Sequence, residues 1–337
     1  LRKDFTVIEL FAGAGGLALG LEHAGFKTLA LNEKNKWCCS TLRKNRPNWN
    51  IIEKPVEEVV SEGIKKYFPF DSVDTLSGGY PCQSFSTAGK GLGFEDIRGT
   101  MLFYYLQVLE ELKPRLCLLE NVRGLLSHDK GATMKVTLDM LEKAGYFVTH
   151  SLLNAVDFNV GQRRERVVIV GIRKDLPKDI FTFPKKSDRK LSLREVLKDV
   201  PSSPCARYSA KRARVMSLVP PGGYWKHLPD DVARDYMGAS YFSGGGRTGL
   251  ARKLSWDEPS HTLMCSPSQK LTERCHPEEV RPLSIREYAR VQSFPDGWEF
   301  CGSMQEQYRQ IGNAVPVNFA RALGQALLSS LEKINKG

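Results

Sequence analysis

Long apolar runs are missing from this 337-residue chain: none approaches the ~20 residues a membrane-spanning helix requires, so no helical span is expected. No leader is expected either, since Leu1-Arg2-Lys3-Asp4-Phe5-Thr6 runs directly into a strand-like segment, and the expected location is the cytoplasm. The eight cysteines include no Cys-x-x-Cys pair, and Cys275-His276 is a lone doublet, so no metal site is expected. Reduced thiols are the simplest account of them. No internal repeat is present.

Positive charge is what the chain has in excess. The net charge is +11, and residues 172–281 carry 21 Lys and Arg against 13 Asp and Glu, so a third of the chain holds most of the imbalance. A polyanionic partner fits this distribution, although a solvated basic face would look the same. A length of 337 residues allows one large core and a smaller second one.

The first half alternates strand and helix patterns. Phe5–Leu10 reads as a strand, Phe11-Ala12-Gly13-Ala14-Gly15-Gly16 as a Gly-rich turn, and Leu17–Ala24 as a helix. That order opens a doubly wound α/β sheet, and the turn serves a dinucleotide as well as any other nucleoside cofactor. Thr28–Glu33 is the second strand; its terminal acid can accept from ribose hydroxyls or cap the next helix. Helices are expected over 35–46, 56–68, 101–112 and 132–144, with short strands at 51–52, 72–77, 116–119 and 147–153.

Two strand ends carry reactive groups. Ser72–Ser77 leads into Gly79-Tyr80-Pro81-Cys82-Gln83-Ser84-Phe85-Ser86 and the Gly-rich Thr87–Gly93, while Leu116–Leu119 delivers Glu120-Asn121-Val122. Parallel strands would set Cys82 and Glu120 on one rim, although a cysteine by itself more often just packs. Gly161-Gln162-Arg163-Arg164-Glu165-Arg166 enters the strand Val167–Ile172, and strict alternation would point Gln162, Arg164 and Arg166 the same way. From about 187 the rhythm stops. Residues 187–306 read as a small, loop-rich domain with Tyr224, Trp225, Tyr236, Tyr241, Phe242 and Trp256 as aromatic core; residues 1–186 and 307–337 form the large one. Ser284 and Glu287 make a capping box, and an amphipathic helix is expected over 317–332.

Taken together, and in this order, the Phe11–Gly16 turn, Pro81-Cys82-Gln83, Glu120-Asn121-Val122, Gln162–Arg166, Arg286–Gln292 and Gly312-Asn313-Ala314-Val315-Pro316 resemble the DNA (cytosine-5)-methyltransferases of bacterial restriction–modification systems. The resemblance spans nearly the whole chain. It implies an S-adenosylmethionine-dependent, Rossmann-like large domain and a target-recognition small domain. It also implies methyl transfer to carbon 5 of a cytosine swung out of duplex DNA. Cys82 would be the nucleophile, Glu120, its own pKa raised in a dry pocket, would hold ring nitrogen 3, and Arg164 would hold the carbonyl oxygen.

The cofactor set implied is Phe11, Ala12, Gly13, Gly15, Gly16, Leu17, Glu33, Val56, Pro81, Met101, Asn313 and Ala314. Pro55 stands where the family commonly has an adenine-reading Asp, which leaves that contact to a neighbour such as Glu53 or Glu57. Lys34 likewise stands where an aromatic residue often follows the ribose acid. DNA contacts are expected from Gln83, Ser86, Lys90, Arg98, Asn121, Gln162 and Arg166, with Asn121 also bracing the cysteine loop. In the small domain they are expected from Arg247, Arg252, Lys253, Lys270 and Arg274, near Gly245, Gly246, Ser266, Ser268, Gln269 and Thr272. A monomer on double-stranded DNA is expected, with a cognate restriction endonuclease as a genetic rather than physical partner. The rivals are a tRNA-cytosine methyltransferase, a non-catalytic DNA-binding relative and an NAD-dependent oxidoreductase.

Overall fold

The computed structural model describes residues 4–80, 100–242, 249–270 and 273–336. Strands are β1 (Thr6–Leu10), β2 (Lys27–Asn32), β3 (Ile51–Ile52), β4 (Thr75–Gly78), β5 (Leu116–Val122), β6 (Tyr146–Asn154), β7 (Gln162–Arg163), β8 (Glu165–Arg173) and β9 (Ser260–His261). Helices are α1 (Gly16–Ala24), α2 (Lys36–Asn45), α3 (Val56–Ser61), α4 (Ile64–Tyr67), α5 (Met101–Leu112), α6 (Ala132–Lys143), α7 (Leu193–Val196), α8 (Ala210–Ser217), α9 (Asp230–Met237), α10 (Ile285–Val291), α11 (Met304–Asn313) and α12 (Val317–Ile334). None of these helices is long and apolar enough to cross a membrane.

Seven strands form one sheet in the order β3-β2-β1-β4-β5-β8-β6. The first five are parallel, whereas β8 runs antiparallel to both β5 and β6, so the sheet is mixed. Strand alternation sorts the core into two layers. Ile8, Leu10, Cys117 and Leu119 face Tyr105, Leu109, Met134 and Leu141 of α5 and α6. Val7, Leu118, Val168 and Val170 face Leu17 and Leu21 of α1 and Phe319 and Leu323 of α12. Asp74 fastens one end of the sheet: it accepts from Thr6 N at 2.8 Å and pairs with Arg115. α1 and α12 lie against each other through small residues. A Cβ on Gly20 would sit 2.3 Å from Ala320 Cβ, and one on Gly324 would sit 2.7 Å from Ala24 Cβ.

Most elements of the large part fall where their patterns place them, and α5 matches its expected limits, capped by Thr100 Oγ1. The helix expected over 56–68 is split into α3 and α4, because Gly63 takes φ +106°. The capping box at Ser284 and Glu287 is formed. The small part has its own core of Val215, Met216, Val219, Leu228, Ala233, Tyr236, Ala251 and Cys275, built on α8 and α9, which no sequence pattern announced. Phe242 is not part of it: the ring is 77% exposed. Residues Leu283, Ile285, Tyr288, Phe294 and Trp298, grouped with the small domain in the sequence reading, pack with Ala14, Ala18 and Leu42 of the large part.

Candidate active site

Because β8 is antiparallel, its first residues arrive at the rim where the parallel strands end. Glu120 pairs in register with Val168, so Glu120 and Arg166 are diagonal neighbours on one face of the β5–β8 ladder, within reach of long side chains. Arg166 Nε lies 2.7 Å from Glu120 Oε1, with both side chains 11% exposed. Gly79 lies under the same carboxylate, and a Cβ there would be 3.1 Å from Glu120 Oε2. Asn121 Nδ2 donates to Tyr80 O at 3.0 Å, and its Oδ1 accepts from Val122 N at 2.8 Å. Asn121 therefore fixes the chain two residues before Cys82. Pro81, Cys82, Gln83, Ser86, Lys90 and Arg98 lie outside the described residues, as do Gly245, Gly246, Arg247 and Thr272.

Arg164 goes elsewhere. Its Nη1 donates to Leu263 O at 3.2 Å and its Nη2 to Gly312 O at 2.9 Å, leaving Nε buried without a partner. Burial, then the Arg166 charge, pushes this guanidinium down to about 9. Gln162 is fully buried, with Oε1 accepting from Leu263 N at 2.8 Å and Nε2 donating to Gln292 Oε1 at 2.8 Å. The expectation that Gln162, Arg164 and Arg166 share a face is corrected accordingly. Alternation holds within one strand, and the chain changes sheets at Arg164, leaving the β7–β9 pair for the main sheet. The structure pairs Arg166 directly with Glu120, while Arg164 feels the Glu120 charge without a bond to it.

The turn after β1 forms the second half of the rim. Phe11 (φ +59°) and Gly13 (φ +54°) take left-handed conformations, and the space a Gly13 Cβ would fill is open. Gly16 is a packing glycine, since a Cβ would lie 2.2 Å from Val315 O and 3.3 Å from Ala314 Cβ. This contact brings the two ends of the chain together. Glu33 accepts from Gly13 N at 2.8 Å through Oε2 and from Asn35 N at 2.7 Å through Oε1. Asn35, not Glu33, caps α2. Each Glu33 oxygen keeps a lone pair for a vicinal diol. Phe11, Val56 and Met101 share one apolar cluster, Ala12 and Leu17 are buried, Gly15 is the left-handed N-cap of α1, and Asn313 Oδ1 accepts from Cys265 Sγ at 2.8 Å. An open glycine turn, a diol-ready carboxylate and an apolar wall suit a nucleoside. Near Pro55, Glu53 pairs with Arg43, while Glu57 Oε2 is buried without a partner.

Glu9 was missed by the sequence reading. It is 2% exposed, its Oε2 has no partner, and burial together with nearby Glu33 holds its carboxyl well above the usual range. The available signal was an acid inside the otherwise apolar strand Thr6–Leu10. Of the small-domain residues, Lys270 turns its ammonium onto Tyr236 O and over the Tyr236 ring. Lys253 and Arg274 are buried, and Arg252 stacks 4.7 Å from the Tyr224 ring centroid.

Comparison with known proteins bears on the same site. The chain is 54% identical over 337 residues to the Type II methyltransferase M.Sau96I of Staphylococcus aureus, covering 99% of this chain and 78% of that protein. It is 50% identical over 342 residues to M.Eco47II of Escherichia coli, covering 98% and 81%. The S. pombe Dnmt2 methyltransferase structure shares the fold at a TM-score of 0.67 and 17% identity, covering 98% of this chain and 99% of that one. The profile described as C-5 cytosine-specific DNA methylase matches residues 5–329, and the chain belongs to that family.

Proposed function

We propose that this chain is a Type II DNA methyltransferase that methylates carbon 5 of a flipped-out cytosine in a specific duplex sequence. The observation that carries this reading is the buried Glu120–Arg166 pair set against Gly79 and Tyr80, two residues before Cys82.

The Cys82 thiolate adds to carbon 6 of the cytosine, and the ring's electron pair moves to carbon 5. Glu120 holds the proton on ring nitrogen 3, and Arg166, sharing its face, takes the carbonyl oxygen; we assign that role to Arg166 in place of Arg164. S-adenosylmethionine, when bound, supplies an electrophilic methyl group. Glu33 would hold its ribose, Phe11, Val56 and Met101 its adenine, and the Gly13 turn with Asn313 and Ala314 its amino-acid end. After transfer, water removes the carbon 5 proton and the sulfur leaves, restoring the ring and the thiolate. The basic small domain lies on the duplex. The protein works as a monomer in the cytoplasm, at the nucleoid, and protects DNA from a cognate endonuclease.

The test uses duplex DNA made with 5-fluorodeoxycytidine at every cytosine, with S-adenosylmethionine present so that methyl transfer makes the thiol adduct irreversible. Fluorine blocks proton loss, so a stable protein–DNA crosslink should form and map to Cys82, while Cys82→Ser should bind duplex without crosslinking or turnover. No crosslink, or one mapped elsewhere, refutes the mechanism. Preferential crosslinking to fluorinated tRNA would reassign the substrate.

A further inference from the structure

Leu263, two residues past β9, has both of its backbone polar groups answered by side chains. Its N donates to Gln162 Oε1 at 2.8 Å, and its O accepts from Arg164 Nη1 at 3.2 Å. Each of those side chains leads on to the end of α11. Arg164 reaches Gly312 O through Nη2 at 2.9 Å. Gln162 Nε2 donates to Gln292 Oε1 at 2.8 Å, and Gln292 Nε2 donates to Ile311 O at 2.7 Å and to Ala314 O at 3.2 Å. Two side-chain bridges thus run from the segment after β9 to one turn of the large part. Beside them the backbones touch: a Cβ on Gly312 would lie 2.6 Å from Met264 O and 2.7 Å from Cys265 N.

Gln162 and Gln292 are both fully buried, which removes Gln162 from the DNA contacts expected of it. The last carbonyls of a helix have no helical N–H following them, and the chain leaves α11 through Pro316, which has none to give. Gln292 fills that gap. Its amide offers two hydrogens to two carbonyls and an oxygen to Gln162, where a carboxylate has no hydrogen to give and a lysine no lone pair. The same carbonyls decide which way round the amide sits, since reversed it would set oxygen against oxygen. α10 holds it in place. Gln292 is the C-cap of that helix and accepts at its own O from Val317 N at 3.1 Å. Tyr288, four residues earlier on the same face, donates to Met264 O at 3.2 Å.

We propose that Gln292, with Gln162 behind it, is a positioning residue for the cofactor: it holds the Ile311–Ala314 turn where Asn313 and Ala314 meet the amino-acid end of S-adenosylmethionine. The inference rests on reading that turn as a wall of the cofactor cleft, and deepens it. Neither glutamine touches the cofactor. Ala314 is where the relay ends and the wall begins: its carbonyl takes Gln292, and its side chain faces the Gly-rich turn, 3.3 Å from where a Gly16 Cβ would sit. Loss of the Gln292 amide leaves Ala314 O and Gln162 Nε2 short of partners in a buried place. The turn then shifts to find others and carries Asn313 and Ala314 with it.

The test compares two ligands by calorimetric titration: S-adenosylhomocysteine, which carries the amino-acid end, and methylthioadenosine, which lacks it. Gln292→Met should weaken S-adenosylhomocysteine about tenfold and leave methylthioadenosine within about twofold, because the first alone reaches the displaced turn. Gln162→Met breaks the relay one link further back and should give the same selective loss. The double variant should bind S-adenosylhomocysteine no more weakly than Gln292→Met, since both changes cut one chain. Retained methylthioadenosine binding shows that a variant is folded. Gln292→Glu, of the same size and still an acceptor for Gln162, replaces Gln292→Met should that variant fail this check. Equal weakening of both ligands, no change in either, or losses that add in the double variant overturn the proposal. Failure of all the variants to bind methylthioadenosine overturns it too, since the glutamines then serve the fold as a whole. An unaltered protein that binds neither ligand overturns the reading of the cleft itself.

Discussion

Replacing Arg166 with Gln removes the guanidinium that lies 2.7 Å from Glu120 at a rim where each side chain is 11% exposed. Breaking one side of a buried ion pair costs about 3–5 kcal/mol, because the remaining charge keeps its desolvation and loses its partner. Glu120→Gln should cost a similar amount for the same reason. The double variant carries no stranded charge, so its loss should fall short of the sum of the singles by about 2 kcal/mol or more. Urea denaturation of the four proteins at neutral pH measures this directly, provided the slopes with denaturant agree. Methyl transfer should separate from stability. Arg166→Gln should lose about a hundredfold or more in kcat, the usual worth of a donor aimed at developing oxygen charge, and the double variant should not regain it. A coupling below about 0.5 kcal/mol would refute the reasoning, since that is the value of independent sites.

Arg164→Lys keeps the charge but gives up the bonds to Leu263 O and Gly312 O. Loosening the residues beside Asn313 and Ala314 should raise KM for the cofactor about tenfold with kcat nearly unchanged; an equal loss of kcat to Arg166→Lys would return the catalytic role to Arg164. Glu9→Gln should stabilise the protein as pH rises. The raised carboxyl of Glu9 binds a proton in the folded chain that the unfolded chain releases above about pH 4.5, so this residue subtracts up to about 1.4 kcal/mol per pH unit above that point. Thermal unfolding of both proteins from acid to mild alkali should show the curves diverging, and parallel curves would refute the assignment.

The elements that could be read in advance are those set by local chemistry. α5 is capped by Thr100 and stops short of Pro114, and the Phe11–Gly16 turn follows a five-residue strand, so sequence neighbours alone determine them. What escaped depended on distant pairing. The roles of Arg164 and Arg166 turn on the chain changing sheets between them, an event set by β9, nearly a hundred residues away. Arg252 and Arg274 become neighbours only through the bridge between Lys253 and Cys275. α11 was not anticipated either: its mostly polar surface buries only Tyr308, Gln310, Ile311 and Gly312, too few apolar positions for a periodic pattern. Glu120 and Asn121 were placed from the strand they end, and β5 does deliver them to the rim.

The close seam between α1 and α12 has a consequence for synthesis on the ribosome. The wall formed by Val315 and Ala314 against Gly16 is synthesised nearly three hundred residues after the turn it covers. A nascent chain can thus build the five parallel strands and still lack one side of the nucleoside cleft. A stop codon just before Ala314 would remove that wall and also strip Leu17, Leu21 and the neighbouring strands of the Phe319–Leu331 face, leaving the cleft open to water.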